Sequence, residues 1–243
     1  MAKKPKVSIF IPIFNEEKIL EYHIRILRNF LNQLPQNFEI FVVDDASTDM
    51  SNEIMKEISK SRRNVKHLRY ELGPTRRENL TQSFKKANGK IVVMMDMDLA
   101  TNLKYLPRLI EEIDKNKYDI CTGSRYIEGS KVKRSLYRRV VSKLFIFGMH
   151  AYFGSKLSDY ECGFKAFKKP VIVKLVKEIG YDKSLKRGVF WDAEMLMRAE
   201  KKRLKIKEIP IEWTEGDKSE LKFKREVKML PYILKFKKTL KKL

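Results

Sequence analysis

The feature that most restricts the fold of this chain is a regular exchange of two hydrophobic periods through its first half. Short apolar runs rich in β-branched and aromatic residues occupy Val7–Phe14, Phe38–Val43, Val65–Tyr70, Ile91–Met95 and Tyr118–Thr122. Between them lie stretches with helical spacing: Glu16 to about Leu34, closed by Pro35, then Ser51–Ser61, Thr75–Ala87 and Leu103–Asn116. Asn88-Gly89 breaks the third of these. Alternation of this kind with short loops specifies an α/β fold, a mostly parallel sheet covered by helices on both faces. Such sheets bind ligands outside the carboxyl ends of their strands. Three carboxylate-bearing loops fall at those ends: Asn15-Glu16, Asp44-Asp45 and Asp96-Met97-Asp98.

The second half is less regular. Lys131–Leu157 begins basic and turns apolar, and it reads as a helix carrying Lys131, Lys133, Arg134, Arg138, Arg139 and Lys143. A strand–helix–helix–strand series follows through Trp213. From Leu221 onward Val227, Leu230, Ile233, Leu234 and Leu240 recur at helical spacing among lysines. No internal repeat and no Gly/Ser-rich linker divides the chain. The expected organisation is one α/β domain over residues 1–222 and a basic amphipathic helix over 223–243.

Charge narrows the partners. With 53 basic against 31 acidic residues the formal net charge is +22, which attracts nucleic acid, anionic lipid or phosphorylated substrates. A lysine-rich composition bias would give the same excess. No RNA-binding signature or base-stacking aromatic pair sits within a basic motif, so nucleic acid is not the expected partner. Cys121 and Cys162 lack metal-site spacing and are too few for a disulfide framework; reduced thiols and a cytoplasmic setting are expected. Met1-Ala-Lys-Lys-Pro leads straight into an apolar strand, so no signal peptide is expected. The most apolar window, Leu144–Phe153, is too short for the roughly 20 residues a membrane span needs, which makes any membrane association peripheral.

The three loops carry the chemistry. In an extended segment Asp96 and Asp98 point to the same side, about 6–7 Å apart. There they serve either as a turn or cap, or as holders of Mg²⁺ or Mn²⁺ between protein and diphosphate. Asp44-Asp45 can accept hydrogen bonds from a base or from ribose hydroxyls, or close a turn in which Ser47 or Asp49 caps the next helix. Pro12-Ile13-Phe14-Asn15-Glu16 ends the first strand with a rigid turn. His23, His67 and His150 are unclustered and read as structural.

Taken together, Pro12-x-Phe14-Asn15-Glu16, Val43-Asp44-Asp45-x-Ser47-x-Asp49 and Asp96-x-Asp98 resemble the family 2 glycosyltransferases in order and spacing. Gly123-Ser124-Arg125-Tyr126, Tyr137-Arg138-x4-Lys143, Asp159-x3-Gly163-Phe164 and Glu194-Met195-Leu196 are similar to the dolichyl-phosphate sugar synthase branch. The resemblance runs from about Val7 to Lys222 and implies a GT-A fold. It further implies a metal-dependent inverting transfer from a nucleotide-diphosphate sugar to a polyprenyl or dolichyl phosphate at a cytoplasmic, anionic membrane surface.

Carried over residue by residue, the resemblance assigns Pro12, Phe14, Glu16, Val43 and Asp45 to the nucleotide pocket. Asp96 and Asp98 would hold nucleotide and metal, with Asp98 the direct ligand. Arg125, Arg138 and Ser142 would grip the acceptor phosphate, and Asp159 is the candidate base or positioning carboxylate. Ala100-Thr101, Cys162-Gly163-Phe164-Lys165-x-Phe167, Trp191-Asp192-x-Glu194 and Trp213-Thr214-Glu215 lean towards the glucosyltransferases, and hence a UDP-sugar over GDP-mannose. Two departures stand out. Gly73-Pro74-Thr75-Arg76-Arg77 replaces a Gly-Lys-Gly loop, and Gly216-Asp217-Lys218-Ser219 leaves Lys218 and Lys222 as alternatives for reaching the diphosphate. The competing function is transfer to a sugar hydroxyl of a lipid-linked or surface glycan, which would require a general base; a nucleic-acid-binding protein is the alternative from another class.

Overall fold

A computed structural model describes residues 5–184, 186–188, 190–216 and 223–242. The elements run β1 (Val7–Ile13), α1 (Glu17–Leu31), β2 (Phe38–Asp45), α2 (Ser51–Ser61), β3 (Val65–Tyr70), α3 (Glu78–Ser83) and β4 (Ile91–Met94). They continue through α4 (Leu106–Asp114), β5 (Ile120–Ser124), β6 (Lys131–Lys133), α5 (Leu136–Phe153), β7 (Lys165–Lys168) and α6 (Lys169–Ile179). The last are α7 (Phe190–Lys201), β8 (Ile206–Pro210), β9 (Glu212–Thr214) and α8 (Phe223–Leu240).

Seven strands form one sheet in the order β3-β2-β1-β4-β7-β5-β8. The pairs among β3, β2, β1 and β4 are parallel, as is β5 with β8, whereas β7 runs antiparallel between β4 and β5. Along each central strand the side chains alternate between two buried layers. Ile9, Ile11, Ile40, Val42, Ile91 and Val93 face α1, α2 and α4, while Phe10, Phe41, Val43, Val92 and Met94 face α3, α6 and α7. Both faces are therefore covered, as the continuous apolar runs require. Because β1, β2 and β4 are parallel neighbours, the loops that follow them open at the same end.

The structure refines four expectations. The helix predicted from Thr75 begins only at Glu78, because the Thr75 and Arg76 amides donate to the Asp45 carboxylate instead of entering a helical turn. Lys131–Lys133 is not helical but pairs with β9 in a two-stranded parallel ribbon, and α5 follows it. The boundary drawn at residue 222 separates parts of one core, since Met229, Ile233, Phe236 and Leu240 of α8 are buried with Phe190 and Trp191 of α7. Leu230 and Leu234, expected on the same face as Ile233 and Leu240, are exposed instead. Cys121 and Cys162 are buried free thiols.

Candidate active site

The loops after β1 and β2 are tied together by side-chain to backbone hydrogen bonds. Asn15 Oδ1 accepts from the Thr48 amide at 2.8 Å, and the Asn15 amide donates to Ser47 Oγ at 3.1 Å. Asp49, rather than capping α2 alone, also accepts from the Glu17 amide at the start of α1 at 3.1 Å. Asp44 is fully buried and accepts from the Ser47 amide at 2.8 Å and from Arg69 Nη1 at 2.7 Å. Burial alone would raise its pKa, but His67, Ser47 and Arg69 together hold it down at about 2. All three strand-end loops contain a non-glycine residue at positive φ: Asn15 at 56°, Ala46 at 67° and Leu99 at 52°. Left-handed backbone costs roughly 1–2 kcal/mol at such residues and concentrates where a site fixes its loops.

Asp45 is placed differently from its expected role. Its two oxygens accept from the Thr75 amide (2.6 Å), the Thr75 hydroxyl (2.9 Å), the Arg76 amide (2.9 Å) and Asn79 Nδ2 (2.7 Å). It anchors the loop that replaces Gly-Lys-Gly, and Gly73 sits so close that a Cβ there would meet the Asp45 carbonyl oxygen at 2.3 Å. Val43 has no exposed side chain and belongs to the core, not to the mouth of the loops. Pro12 is half-buried at the end of β1, and Phe14 is exposed beside it.

The anchored loop delivers a cation. Arg77 Nη1 reaches Asp96 at 3.1 Å while its Nε donates to Asp192 at 2.8 Å. Asp192 is buried; burial would raise its pKa, but Arg77 and Lys165 outweigh that and keep it ionised. Asp96 lies against Gly163, where a Cβ would stand 1.9 Å from Asp96 Oδ2. Asp98 accepts from the Ala100 amide at 3.0 Å and shares a crevice with Asp96, Gly163, Phe164 and Trp213. Its pKa is raised by burial first and then by the charges of Asp96 and Glu16, against the Ala100 amide and His23. A carboxylate repelled by carboxylate neighbours suits a divalent cation, and an all-oxygen donor set suits Mg²⁺ or Mn²⁺. Among the described residues no group of three or more His, Cys, Asp or Glu side chains forms a complete metal cage. Asp96 and Asp98 would thus leave further coordination to a diphosphate and water.

Beyond the carboxylates lies a basic wall. Arg125 is locked on Asp159, with Nε to Oδ2 at 2.7 Å, Nη2 to Oδ1 at 2.8 Å and its own amide to Oδ2 at 3.0 Å. Both side chains are nearly inaccessible. Of the two roles expected for Asp159, the geometry suits the positioning carboxylate rather than the base, because its oxygens are filled and Arg125 and Lys165 lower its pKa against the opposing effect of burial. Arg125 gives Nε and Nη2 to Asp159 and also lines the neighbouring groove. Ser142 Oγ accepts from Arg134 Nη1 at 2.8 Å, and Arg138 Nη1 donates to Glu215. Arg125 and Arg134 both lie over the Trp213 ring, at 5.3 and 5.6 Å from its centroid.

Sequence reasoning therefore located the loops and the paired carboxylates but missed Arg77, Lys165 and Arg134 as site cations. Arg134 stood within the basic cluster, with no local signal to set it apart. Lys165 is completely buried and donates to Asp192 at 2.9 Å, a role visible only once β7 is placed beside β4. Lys218 and Lys222 lie outside the described residues.

Comparison with known proteins accords with this constellation. Glycosyl transferase family 2 matches residues 8–176, and the chain belongs to that family. It is 30% identical over 210 residues to glycosyltransferase AglD of Haloferax volcanii, covering 86% of this chain and 33% of that protein. A dolichol-phosphate mannosyltransferase of Pyrococcus furiosus is 41% identical over 139 residues, 57% of this chain and 38% of that protein. Dolichyl-phosphate beta-glucosyltransferase ALG5D of Trichomonas vaginalis is 30% identical over 241 residues, 93% and 72% of the two chains. The chain thus spans about a third of the length of the first relative and under two fifths of the second. Among solved structures, glucosyl-3-phosphoglycerate synthase of Mycobacterium tuberculosis with Mn²⁺ and UDP-glucose superposes at TM-score 0.64 and 16% identity, covering 94% of this chain and 77% of that one. Mannosyltransferase PcManGT of Pyrobaculum calidifontis with GDP-Man and Mn²⁺ gives TM-score 0.57 at 18% identity, covering 89% and 59%. These likenesses establish the GT-A fold, with the sheet mixed rather than wholly parallel.

Proposed function

We propose that this chain transfers a sugar from a nucleotide-diphosphate sugar, UDP-linked in preference to GDP-linked, to a polyprenyl phosphate at a membrane surface, with inversion. The observation that carries the reading is that two charge sets of opposite sign meet at Trp213. Asp96 and Asp98 share a crevice with Trp213, and Arg125 and Arg134 lie over the ring of that same tryptophan. The carboxylates would hold Mg²⁺ or Mn²⁺, which neutralises charge on a leaving diphosphate. Arg77, already on Asp96, is within reach of the same charge. Pro12, Phe14, Glu16 and the loop anchored by Asp45 would frame the nucleotide. Lys218, outside the described residues, keeps its proposed role at the diphosphate.

The acceptor side favours a phosphate nucleophile over a sugar hydroxyl. A phosphate monoester has its second pKa near 6 and is largely dianionic at neutral pH, so it needs positioning more than a base. A hydroxyl would need a base, and Asp159 is committed to Arg125. Beside the wall a groove of about 400 Å³ is lined by Arg125, Tyr126, Val132, Leu136, Arg139 and Val140. Cations next to apolar side chains match a phosphate on an isoprenoid chain.

The exposed face of α5 supports the membrane contact. Leu136, Val140, Leu144 and Phe147 recur along one side of that helix and are all more than half exposed. Arg139 and Lys143 flank the stripe. Apolar insertion with basic flanks of roughly 1 kcal/mol each is how a helix lies in an anionic interface. No described helix is long and apolar enough to cross a membrane.

A donor screen tests the proposal. Radiolabelled UDP- and GDP-sugars are incubated with a polyprenyl phosphate, with and without Mn²⁺, and label entering the organic phase is counted. A metal-dependent signal with a UDP-sugar is expected. No organic-phase label with any donor, from protein that binds UDP, would remove the lipid acceptor.

A further inference from the structure

The acceptor wall contains an anion of its own. Glu215 follows β9, and its Oε1 takes both Arg138 Nη1 and, at 3.4 Å, Arg134 Nε. Arg134 is braced from its other side by Tyr126 Oη at 3.1 Å and Ser142 Oγ at 2.8 Å, and from its face by Trp213. All three charged side chains are largely sheltered, at 10% exposure for Arg134, 17% for Arg138 and 19% for Glu215. Two guanidiniums thus converge on one carboxylate oxygen. Guanidinium forks match phosphate better than a single carboxylate oxygen, and a phosphate dianion carries nearly twice the charge.

Position matters as much as charge. The residue after Glu215 is Gly216, whose Cβ position lies 3.5 Å from Asp98 Oδ2. Glu215 therefore holds the acceptor cations while the next residue stands close to the metal carboxylate. An anion seated where Glu215 now sits would stand beside the diphosphate end of the donor. Arg125 already gives Nε and Nη2 to Asp159, so less of its fork is available to a phosphate.

Resting on the proposed phosphate acceptor, we propose that Glu215 is an internal stand-in for the acceptor phosphate. Its carboxylate keeps Arg134 and Arg138 aligned in the free protein, and the incoming phosphate monoester exchanges with it on the same two guanidiniums. Arg134, rather than Arg125, is then the partner of Arg138 in the grip. Acceptor affinity is set by this competition, because the fraction of protein with Glu215 in place must give it up before phosphate binds.

The exchange is tested by calorimetric titration of farnesyl phosphate and glycerol 3-phosphate into wild type, Glu215→Gln and Arg134→Gln, with melting temperatures confirming the fold. Removing the competing charge in Glu215→Gln should tighten farnesyl phosphate by about ten-fold, and Arg134→Gln should weaken it by about the same factor. Farnesyl phosphate binding that is unchanged or weaker in Glu215→Gln overturns the exchange while leaving the lipid-phosphate acceptor standing. Equal tightening for both ligands, with no preference for the isoprenoid ester, supports the exchange and removes the lipid from the proposed function. Failure of folded wild type and Glu215→Gln to bind either ester overturns both.

Discussion

Replacing Gly163 by alanine should disable the site while leaving the fold nearly intact. The backbone at Gly163 is not in the left-handed region, so alanine meets no conformational barrier there. The obstacle is Asp96: the new methyl would lie 1.9 Å from Oδ2, and ordinary contact at 3.4 Å requires the carboxylate to retreat by about 1.5 Å. Asp96 has room to move, since its side chain is 46% exposed. The retreat pulls it from Arg77, which holds it at 3.1 Å, and shifts one of the two carboxylates offered to the metal. Gly→Ala gains about 0.4–1 kcal/mol through the unfolded chain, which offsets most of a relieved clash. Stability should therefore change by less than about 1 kcal/mol. Activity should not survive so well, because a displacement of about 1 Å at reacting groups costs about 10²-fold. Thermal melting and Mn²⁺-dependent turnover of the sugar nucleotide read the two effects separately. A Gly163→Ala protein with wild-type turnover would refute the placement of Asp96; a loss of 3 kcal/mol or more would show that Asp96 cannot yield.

Asp98→Asn should lose about 10²-fold or more in turnover, as expected when charge stabilisation at a leaving group is removed. The same change should raise the melting temperature of metal-free protein. Asp98 has a raised pKa, so the folded state binds the proton more tightly, and this contribution to stability falls as pH rises through that interval; at neutral pH the carboxylate is a net cost. Asp44 behaves oppositely: its contribution is present above the ordinary Asp range and is lost as pH falls towards about 2, so Asp44→Asn should flatten acid unfolding there. Arg187, buried and paired with Glu78 at 2.7 Å and Glu194 at 3.6 Å, should cost about 3–5 kcal/mol on replacement by alanine, measured by urea unfolding. For membrane seating, Leu144→Ser with Phe147→Ser should abolish sedimentation with anionic liposomes at low salt without lowering the melting temperature, since both side chains are exposed. Wild type that ignores such liposomes would contradict the peripheral reading.

The strand–helix order was legible because period-2 and period-3.6 patterns survive in sequence wherever a face is buried. Phe10 and Ile9, or Val92 and Val93, divide cleanly between the two layers. The three loops were legible for a related reason, since parallel strands put their ends together. What sequence could not show was which carboxylates are already spoken for. Asp45 and Asp96 look alike as strand-end acids, yet one is filled by Thr75, Arg76 and Asn79, and the other stands half exposed. Asp159 and Arg125 sit far apart in the chain and become a pair only when the loop before β7 meets the end of β5. The tail posed a different question. Its helical spacing is real, but helical spacing alone does not choose between lying in an interface and closing a core, and Phe236 against Phe190 and Phe153 shows α8 taking the second course on one face.

The central claim is that the bond made joins the sugar to a phosphate oxygen rather than to a hydroxyl. Phosphorus-31 NMR of farnesyl phosphate incubated with a UDP-sugar, Mn²⁺ and the protein follows that bond directly. The account predicts that the monoester resonance, which moves with pH near 6, is replaced by a diester resonance that does not titrate, in step with UDP release. UDP release with the monoester signal intact and the sugar recovered on a hydroxyl acceptor would contradict it.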